Sequence, residues 1–128
     1  MVIADTSAWI AFQTKPDSKL GREFDALLAD DEIVMVGPVL AELLQGARSE
    51  SDFSFFAERL GALAFLEADQ ETWIKAGELN YQLRARGRII PMADLIVSAL
   101  AIQHDIPVYT SARDYQEVPG LQIYEPAG

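Results

Sequence analysis

Four acidic residues stand at positions where a folded chain could bring them together. Asp5 ends a short apolar run, and Glu42 lies on the polar flank of an apolar helical stripe. Asp94 begins a long apolar stretch, and Asp114 follows the run that ends at Thr110. If these carboxylates gathered within about 5 Å, each ionised pair would repel by roughly 3 kcal/mol at an effective dielectric constant near 20. Such a cluster, called the acidic quartet below, requires a cation or protons to balance it.

The available ligand types define the cation. The chain has no Cys and one His; that residue, His104, ends a predicted helix, where a cap or surface role is favoured over catalysis. Oxygen ligands alone favour a hard ion, Mg²⁺ or Mn²⁺, which keeps several waters and is completed by substrate phosphates. A water bound to such an ion becomes a nucleophile, and the ion neutralises charge developing on phosphate oxygens. The predicted chemistry is phosphodiester hydrolysis.

The elements that would position the quartet alternate along the chain. Apolar runs bounded by turn residues predict strands over 2–4, 32–36, 64–67, 108–110 and 121–124. Helical periodicity predicts helices over 6–12, 16–29, 38–47, 51–63, 68–86 and 92–104. The last of these is apolar nearly all round, which indicates a buried helix.

This alternation predicts an α/β fold with three layers, α/β/α, around a central parallel sheet of four to five strands. No linker, repeat or low-complexity tract divides the sequence, so residues 1–128 are predicted to form a single domain. In open parallel sheets, ligands bind at the carboxyl ends of the strands, near the point where the strand order reverses. The quartet is therefore predicted to lie at that edge of the sheet.

Composition excludes several classes of function. The 128 residues include 10 basic and 20 acidic side chains, a formal net charge of −10, which argues against nucleic-acid binding through a broad basic face. The absence of Cys excludes disulfide frameworks and thiolate catalysis. The N-terminal apolar run is interrupted by Asp5 and Thr6 and lacks a cationic segment, so neither a signal peptide nor a membrane span is predicted. A cytoplasmic location is expected.

Several segments together resemble the PIN domain, specifically the VapC-type toxins. They are DTS at 5–7, PVLAELLQG at 38–46 and MADLIVSALA at 92–101. The segment PVYTSARDY at 107–115, followed by PGL at 119–121, resembles the closing strand, acidic loop and edge strand of that family. The order and spacing match over essentially the whole chain.

The resemblance implies a PIN-like fold and a metal-dependent endoribonuclease that uses Mg²⁺ or Mn²⁺. It also implies an RNA substrate, a VapB-like antitoxin and a homodimer. Carried over position by position, Asp5, Glu42, Asp94 and Asp114 are the catalytic acids. Many relatives carry an acid or Asn at the position of Ala112, so the fourth role passes to Asp114. We hypothesise that Asp5 and Asp94 are the nearest metal ligands, with Glu42 and Asp114 acting through waters or on a second ion.

Three hydroxyl residues lie beside the quartet in the sequence. Thr6 and Ser7 are predicted to cap the first helix, and the alternative is that they orient Asp5 or bind phosphate. Ser98 lies one turn beyond Asp94 on the same helical face, where it either serves the site or forms a hydrogen bond inside the core.

The arginines near the acidic motifs have two interpretations. Arg84, Arg86 and Arg88 either supply positive charge to an approaching RNA backbone or form a solvated helix end that is favourable against the helix dipole. Arg48 and Arg113 flank the acidic motifs, where they would receive an antitoxin's C-terminal acid or line the phosphate path.

The aromatic residues are predicted to belong mainly to the core. This applies to Trp9, Trp73 and the cluster of Phe53, Phe55 and Phe56. Three phenylalanines in four positions would leave one outside, where it would suit an antitoxin helix or a dimer face.

Two other classes of function compete with a nuclease. A receiver-like phosphoacceptor domain also uses acids at the ends of parallel strands, but it needs a late Lys, and this chain has none after Lys75. A non-catalytic α/β interaction module of PIN-like fold would have a quartet that fails to converge or binds no metal. Ala112 is the only sequence feature that favours the second alternative.

Overall fold

The computed structural model describes residues 1–126 and contains four β-strands and six α-helices in that range. In chain order they are β1 (Val2–Ala4), α1 (Thr6–Thr14), α2 (Lys19–Ala29), β2 (Ile33–Val36), α3 (Gly37–Gln45), α4 (Glu50–Gly61), β3 (Ala64–Leu66), α5 (Gln70–Ala85), α6 (Met92–His104) and β4 (Val108–Tyr109), followed by a 3₁₀ helix (Arg113–Glu117). Within these residues, no helix has the length and apolarity needed to cross a membrane.

The strands form one parallel sheet in the order β3-β2-β1-β4. Strands β1 and β2 are buried throughout, as expected for short apolar strands covered by helices. The strand order reverses at β1, because β2 and β3 lie on one side of it and β4 on the other. In folds of this kind, the ligand crevice lies between the carboxyl ends of the two strands at the reversal, here β1 and β4. The predicted α/β fold with a parallel sheet is confirmed.

The predicted strand over 121–124 is reduced to a single bridge. Ile123 pairs in parallel with Val108. The Val108 N–H donates to the Gln122 carbonyl at 2.9 Å, and the Tyr124 N–H donates to the Val108 carbonyl at 2.8 Å. Because β4 has only two residues, it offers no room for a longer ladder.

Helix α6 is buried on two sides, as its apolar sequence predicts. Its residues Val97, Leu100 and Ala101 belong to the main core, which also contains the central strands. Leu95 and Ala99 belong to a second apolar cluster formed with α5. A helix that contacts the core on both sides places its first turn, and therefore Asp94, rigidly against the sheet.

The first helix begins differently from the prediction. Asp5 is its N-cap, and the Asp5 side chain accepts the Ala8 N–H at 3.0 Å. Thr6 and Ser7 lie inside the first turn, so the prediction that they cap the helix is wrong. A carboxylate is as good an N-cap as a hydroxyl, and here the end of β1 places Asp5 at the cap position.

Helix α2 begins at Lys19 instead of position 16, because Ser18 is its N-cap and accepts the Gly21 N–H at 3.0 Å. The chain between α1 and α2 folds back over this first turn. A Cβ atom added at Gly21 would overlap the backbone carbonyl oxygens of Lys15 and Pro16. Glycine is therefore required here for close backbone approach.

We expect Gly21→Ala to lower the free energy of unfolding by about 2 kcal/mol, because the obstructing atoms are backbone and cannot swing aside. The matched control is Gly77→Ala in α5, where an added Cβ meets nothing within 4 Å. That variant should gain about 1 kcal/mol from the higher helix propensity of Ala. Urea unfolding of both variants measures the difference, and a shift of the same sign in both would contradict the prediction.

Candidate active site

Asp5 stands at the carboxyl end of β1 with only 4% of its surface exposed. Its Oδ1 atom accepts the Ser7 hydroxyl at 2.7 Å and the Ala8 N–H at 3.0 Å. Its Oδ2 atom accepts the Thr110 hydroxyl at 2.6 Å. A buried carboxylate is costly unless it is hydrogen-bonded, and three donors from α1 and from the end of β4 provide those bonds.

The two hydroxyl groups on Asp5 also hold the loop after β4. The Ser7 oxygen accepts the Ser111 N–H at 3.1 Å, and the Thr110 oxygen accepts the Ala112 N–H at 2.9 Å. Each hydroxyl thus donates to Asp5 and accepts from the loop backbone. Ala112 takes part through its N–H, a contact that does not depend on its side chain.

Two further members of the quartet are exposed. Glu42 projects from α3, and its Oε1 atom accepts the Thr6 hydroxyl at 3.2 Å. Thr6 therefore contacts Glu42, whereas Ser7 contacts Asp5. Asp114 lies in the first turn of the 3₁₀ helix and is exposed. Both carboxylates are accessible to water.

Asp94 lies in the first turn of α6 and is partly buried. Burial raises the pKa of Asp94, and the negative charges of Asp5, Glu42 and Asp114 raise it further. A hydrogen bond from the Tyr115 hydroxyl to Asp94 Oδ1, at 3.3 Å, acts in the opposite direction. The charges of the other three quartet residues therefore act on Asp94.

The donor chemistry of the quartet fits a hard divalent cation. Its ligands are carboxylate oxygens, and no ion pair in the described range involves a quartet carboxylate. Across residues 1–126, no three Asp, Glu, His or Cys side chains lie close enough together to hold an ion by themselves. Water and substrate oxygens would have to complete the coordination, as Mg²⁺ normally requires. The residues fit the ion on these terms.

Comparison with known proteins identifies the family. The family model described as PIN domain matches residues 2–121. The chain belongs to the PIN domain family. It is similar to ribonuclease VapC18 of Mycobacterium tuberculosis, with 28% identity over 121 residues that cover 91% of this chain and 86% of the relative. It is also similar to ribonuclease VapC5 of the same organism, with 29% identity over 133 residues that cover 96% and 91% of the two chains.

The fold of this PIN domain also resembles solved toxin–antitoxin complexes. VapBC2 from Rickettsia felis, bound to a DNA fragment from its promoter, superposes with a TM-score of 0.80 and 24% identity. The match covers 97% of this chain and 98% of that chain. The α/β/α architecture predicted from the sequence is therefore that of a known PIN fold.

Of the two alternatives for Ser98, the structure shows the hydrogen bond inside the core, and Tyr115 makes a contact that the sequence did not predict. Ser98 is fully buried, and its hydroxyl donates to the Asp94 backbone carbonyl at 2.8 Å. This bond lies within α6 and does not involve the Asp94 carboxylate. Tyr115 and Thr110 contact quartet carboxylates but carry no signal in the sequence. Their partners are more than twenty residues away, and only strand order brings them together.

Five arginines lie near the acidic motifs in the sequence. Arg84, Arg86 and Arg113 are exposed. The Arg88 Nε atom pairs with the Glu117 carboxylate at 3.7 Å, which ties the α5–α6 loop to the 3₁₀ helix. Arg48 lines a cavity of about 280 Å³ together with Glu42.

We expect Thr110→Val to lower the free energy of unfolding by about 2 kcal/mol, because a buried charged acceptor and the Ala112 N–H both lose a partner. The conservative variant Thr110→Ser keeps the hydroxyl and should lose less than half as much. Denaturant unfolding at pH 7 compares the two. Equal losses would mean that the methyl group contributes as much as the hydroxyl, and a larger loss in Thr110→Ser would mean that the methyl group carries the effect; either result would contradict the prediction.

Proposed function

We propose that this PIN domain is a metal-dependent endoribonuclease that hydrolyses RNA phosphodiester bonds as the toxin of a VapBC-type toxin–antitoxin pair. The observation that carries the proposal is the environment of Asp94, where burial and three other carboxylates raise its pKa and no ion pair among residues 1–126 involves a quartet carboxylate. The relatives VapC18 and VapC5 are ribonucleases, which supports RNA as the substrate.

Each quartet residue has a distinct role in this proposal. Asp5 and Asp94 hold a Mg²⁺ or Mn²⁺ ion, and Glu42 and Asp114 act through waters or on a second ion. When bound, the ion lowers the pKa of a water nucleophile and places positive charge beside the scissile phosphate. The hydrogen bonds from Ser7 keep Asp5 in one orientation. The exposed Glu42 and Asp114 are accessible to accept a proton from water.

Binding of RNA in this protein must be local, because the net charge of −10 provides no broad basic face. The exposed arginines are the available phosphate contacts: Arg84, Arg86 and Arg88 beside α5, Arg48 beside Glu42, and Arg113 beside Asp114. A small set of contacts predicts weak non-specific binding and selection of a defined RNA site.

The alternative functions differ in whether the quartet binds metal and cleaves RNA. A non-catalytic interaction module of PIN-like fold would do neither. A receiver-like domain would need a Lys beside its phosphorylated carboxylate, and no Lys follows position 75. One experiment on RNA cleavage separates the nuclease from both.

We expect Asp94→Asn to reduce Mg²⁺- or Mn²⁺-dependent RNA cleavage at least 100-fold, because the central ligand loses its charge. Cleavage is measured on structured and single-stranded RNAs with purified protein, with and without a chelator. Asp25→Asn, an exposed acid on α2, is the matched control and should cleave as the wild type does. Equal cleavage by the wild type and Asp94→Asn would indicate a contaminating nuclease and contradict the proposal.

The same variant should melt at a higher temperature than the wild type when metal is absent. An acid whose pKa is raised in the folded state favours folding when protonated, so its stabilising effect is lost as the pH rises from its ordinary pKa through the raised value. At pH 7 the ionised Asp94 therefore destabilises the folded state, and Asn removes that effect. This outcome also shows that loss of cleavage is not loss of folding.

A groove beside the quartet suits the proposed antitoxin. Two cavities of about 280 and 330 Å³ share the lining residues Gln13, Phe56 and Leu60, so they form one continuous groove between α1 and α4. Glu42 and Arg48 lie at one end of it. The VapBC2 complex, similar in fold, contains both partners of such a pair. An amphipathic helix with a basic residue toward Glu42 would match this groove in shape and charge.

The rest of the groove is apolar and aromatic. Phe55 is 51% exposed there, with the Arg59 guanidinium 4.7 Å from the centre of its ring. The buried Trp9 indole N–H, at the groove floor, has no hydrogen-bond partner among residues 1–126. Phe53 and Phe55 are exposed, so two phenylalanines stand outside the core where one was predicted. Trp73 is 55% exposed, so the prediction that it belongs to the core is wrong.

The proposed homodimer has a different candidate surface. Ile74 and Tyr81 are seven residues apart on α5 and are 62% and 78% exposed. They lie opposite the face of α5 that packs on α6, where Ala76, Leu79 and Leu83 are buried. Two turns of a helix with an apolar outer face would be covered in a dimer.

We expect Phe55→Glu to weaken binding of the proposed VapB-like antitoxin at least tenfold without changing the oligomeric state. Tyr81→Glu should do the reverse, producing monomers that still bind that protein. Titration calorimetry and light scattering measure the two effects. Loss of both properties in either variant would contradict separate surfaces.

A cytoplasmic location and a single domain over residues 1–128 stay predictions.

A further inference from the structure

Tyr115 is the buried residue of the 3₁₀ helix that carries Asp114. Only 2% of it is exposed, and its ring belongs to the main core. Its neighbours Asp114 and Gln116 are exposed. The helix is tied from its other end by the Arg88–Glu117 ion pair. The phenol is therefore held from two sides while the flanking side chains face water.

Among residues 1–126, the phenol hydroxyl has one hydrogen-bond partner, the Asp94 carboxylate. The hydroxyl donates to Asp94 Oδ1 at 3.3 Å. In the described range, no other hydrogen bond reaches the Asp94 side chain, whereas Asp5 accepts three. Within residues 1–126, Tyr115 is thus the one hydrogen-bond donor that orients this carboxylate.

The hydrogen bond engages one oxygen of Asp94 and leaves the other open. Oδ2 has no protein partner within residues 1–126. A carboxylate held by a donor on one oxygen presents the second oxygen in a single direction. Partners of this kind, which orient a ligand without touching the ion, typically change metal affinity by about 10–100-fold when removed.

We propose that Tyr115 is a positioning residue for the metal site, which its hydroxyl serves by orienting Asp94 toward the cation. This inference rests on the proposed function, because it requires a cation at the quartet. It also links two quartet members: the 3₁₀ helix that carries Asp114 is fastened to Asp94 through the adjacent phenol. The ring by itself fills the core, and the hydroxyl is the part that acts on the site.

The two contributions of Tyr115 can be separated by removing only the oxygen atom. Tyr115→Phe retains the buried ring and loses the donor. Tyr124→Phe is the matched control, because the Tyr124 hydroxyl donates to the Glu23 carboxylate at 3.1 Å, away from the quartet. Both variants replace a phenol bound to a carboxylate by the same hydrocarbon ring.

Titration of the metal-free proteins with Mn²⁺, followed by calorimetry, measures the effect directly. We expect Tyr115→Phe to bind Mn²⁺ about tenfold more weakly, the lower end of the range because the bond is long. Tyr124→Phe should bind as the wild type does. The rise in melting temperature at a fixed Mn²⁺ concentration gives a second reading that refers to folded molecules only.

RNA cleavage should follow the same pattern. Tyr115→Phe should show lower kcat at limiting Mn²⁺, recovery at excess Mn²⁺, and an unchanged KM for RNA. If Tyr115→Phe bound Mn²⁺ as tightly as the wild type, or if Tyr124→Phe lost as much affinity, the role of Tyr115 would be overturned but the proposed function would not. A wild-type protein that neither binds Mn²⁺ nor cleaves RNA would overturn the proposed function and this inference with it.

Discussion

The burial of one ionised side chain, Asp5, constrains the rest of the site. A carboxylate removed from water costs several kcal/mol unless hydrogen bonds replace its hydration. Two of its three donors come from the first turn of α1, and the third comes from Thr110 at the end of β4. That third donor is available only if β4 lies next to β1. The reversal of strand order and the full set of hydrogen bonds to Asp5 therefore both depend on the pairing of β1 with β4.

Asp94 is the opposite case, because it is partly buried and surrounded by like charges. Its pKa is raised by burial and by three other carboxylates, and Tyr115 is the one hydrogen-bond donor to its side chain among the residues that the structure describes. A protein selected only for stability would not keep such an arrangement. Repulsion that destabilises the folded chain without metal becomes attraction when a divalent cation is present. In the proposed metal site, the same four charges would oppose folding without the ion and would bind the ion when it is present.

The negative net charge of the whole chain also bears on the proposed function. A net charge of −10 would repel RNA at long range, so in the proposed function the phosphate contacts come from a few exposed arginines. Ala112 also contributes to the site through a group that its side chain does not determine. The loop at this position contributes its backbone N–H to Thr110, and any residue except proline supplies that group.

The sequence by itself determined the local features. Apolar runs located the strands, and the apolar residues on nearly every face of α6 predicted its burial. Each of these patterns reflects which residues face the core. Motif order indicated the quartet. The N-cap at Asp5, the contacts of Thr6 and Tyr115, and the exposure of Trp73 were decided by the tertiary structure. Asp5 and Thr110 are 105 residues apart, and no local pattern specifies such a pair. Their contact exists because the sheet places β4 beside β1, and strand order is a property of the whole fold.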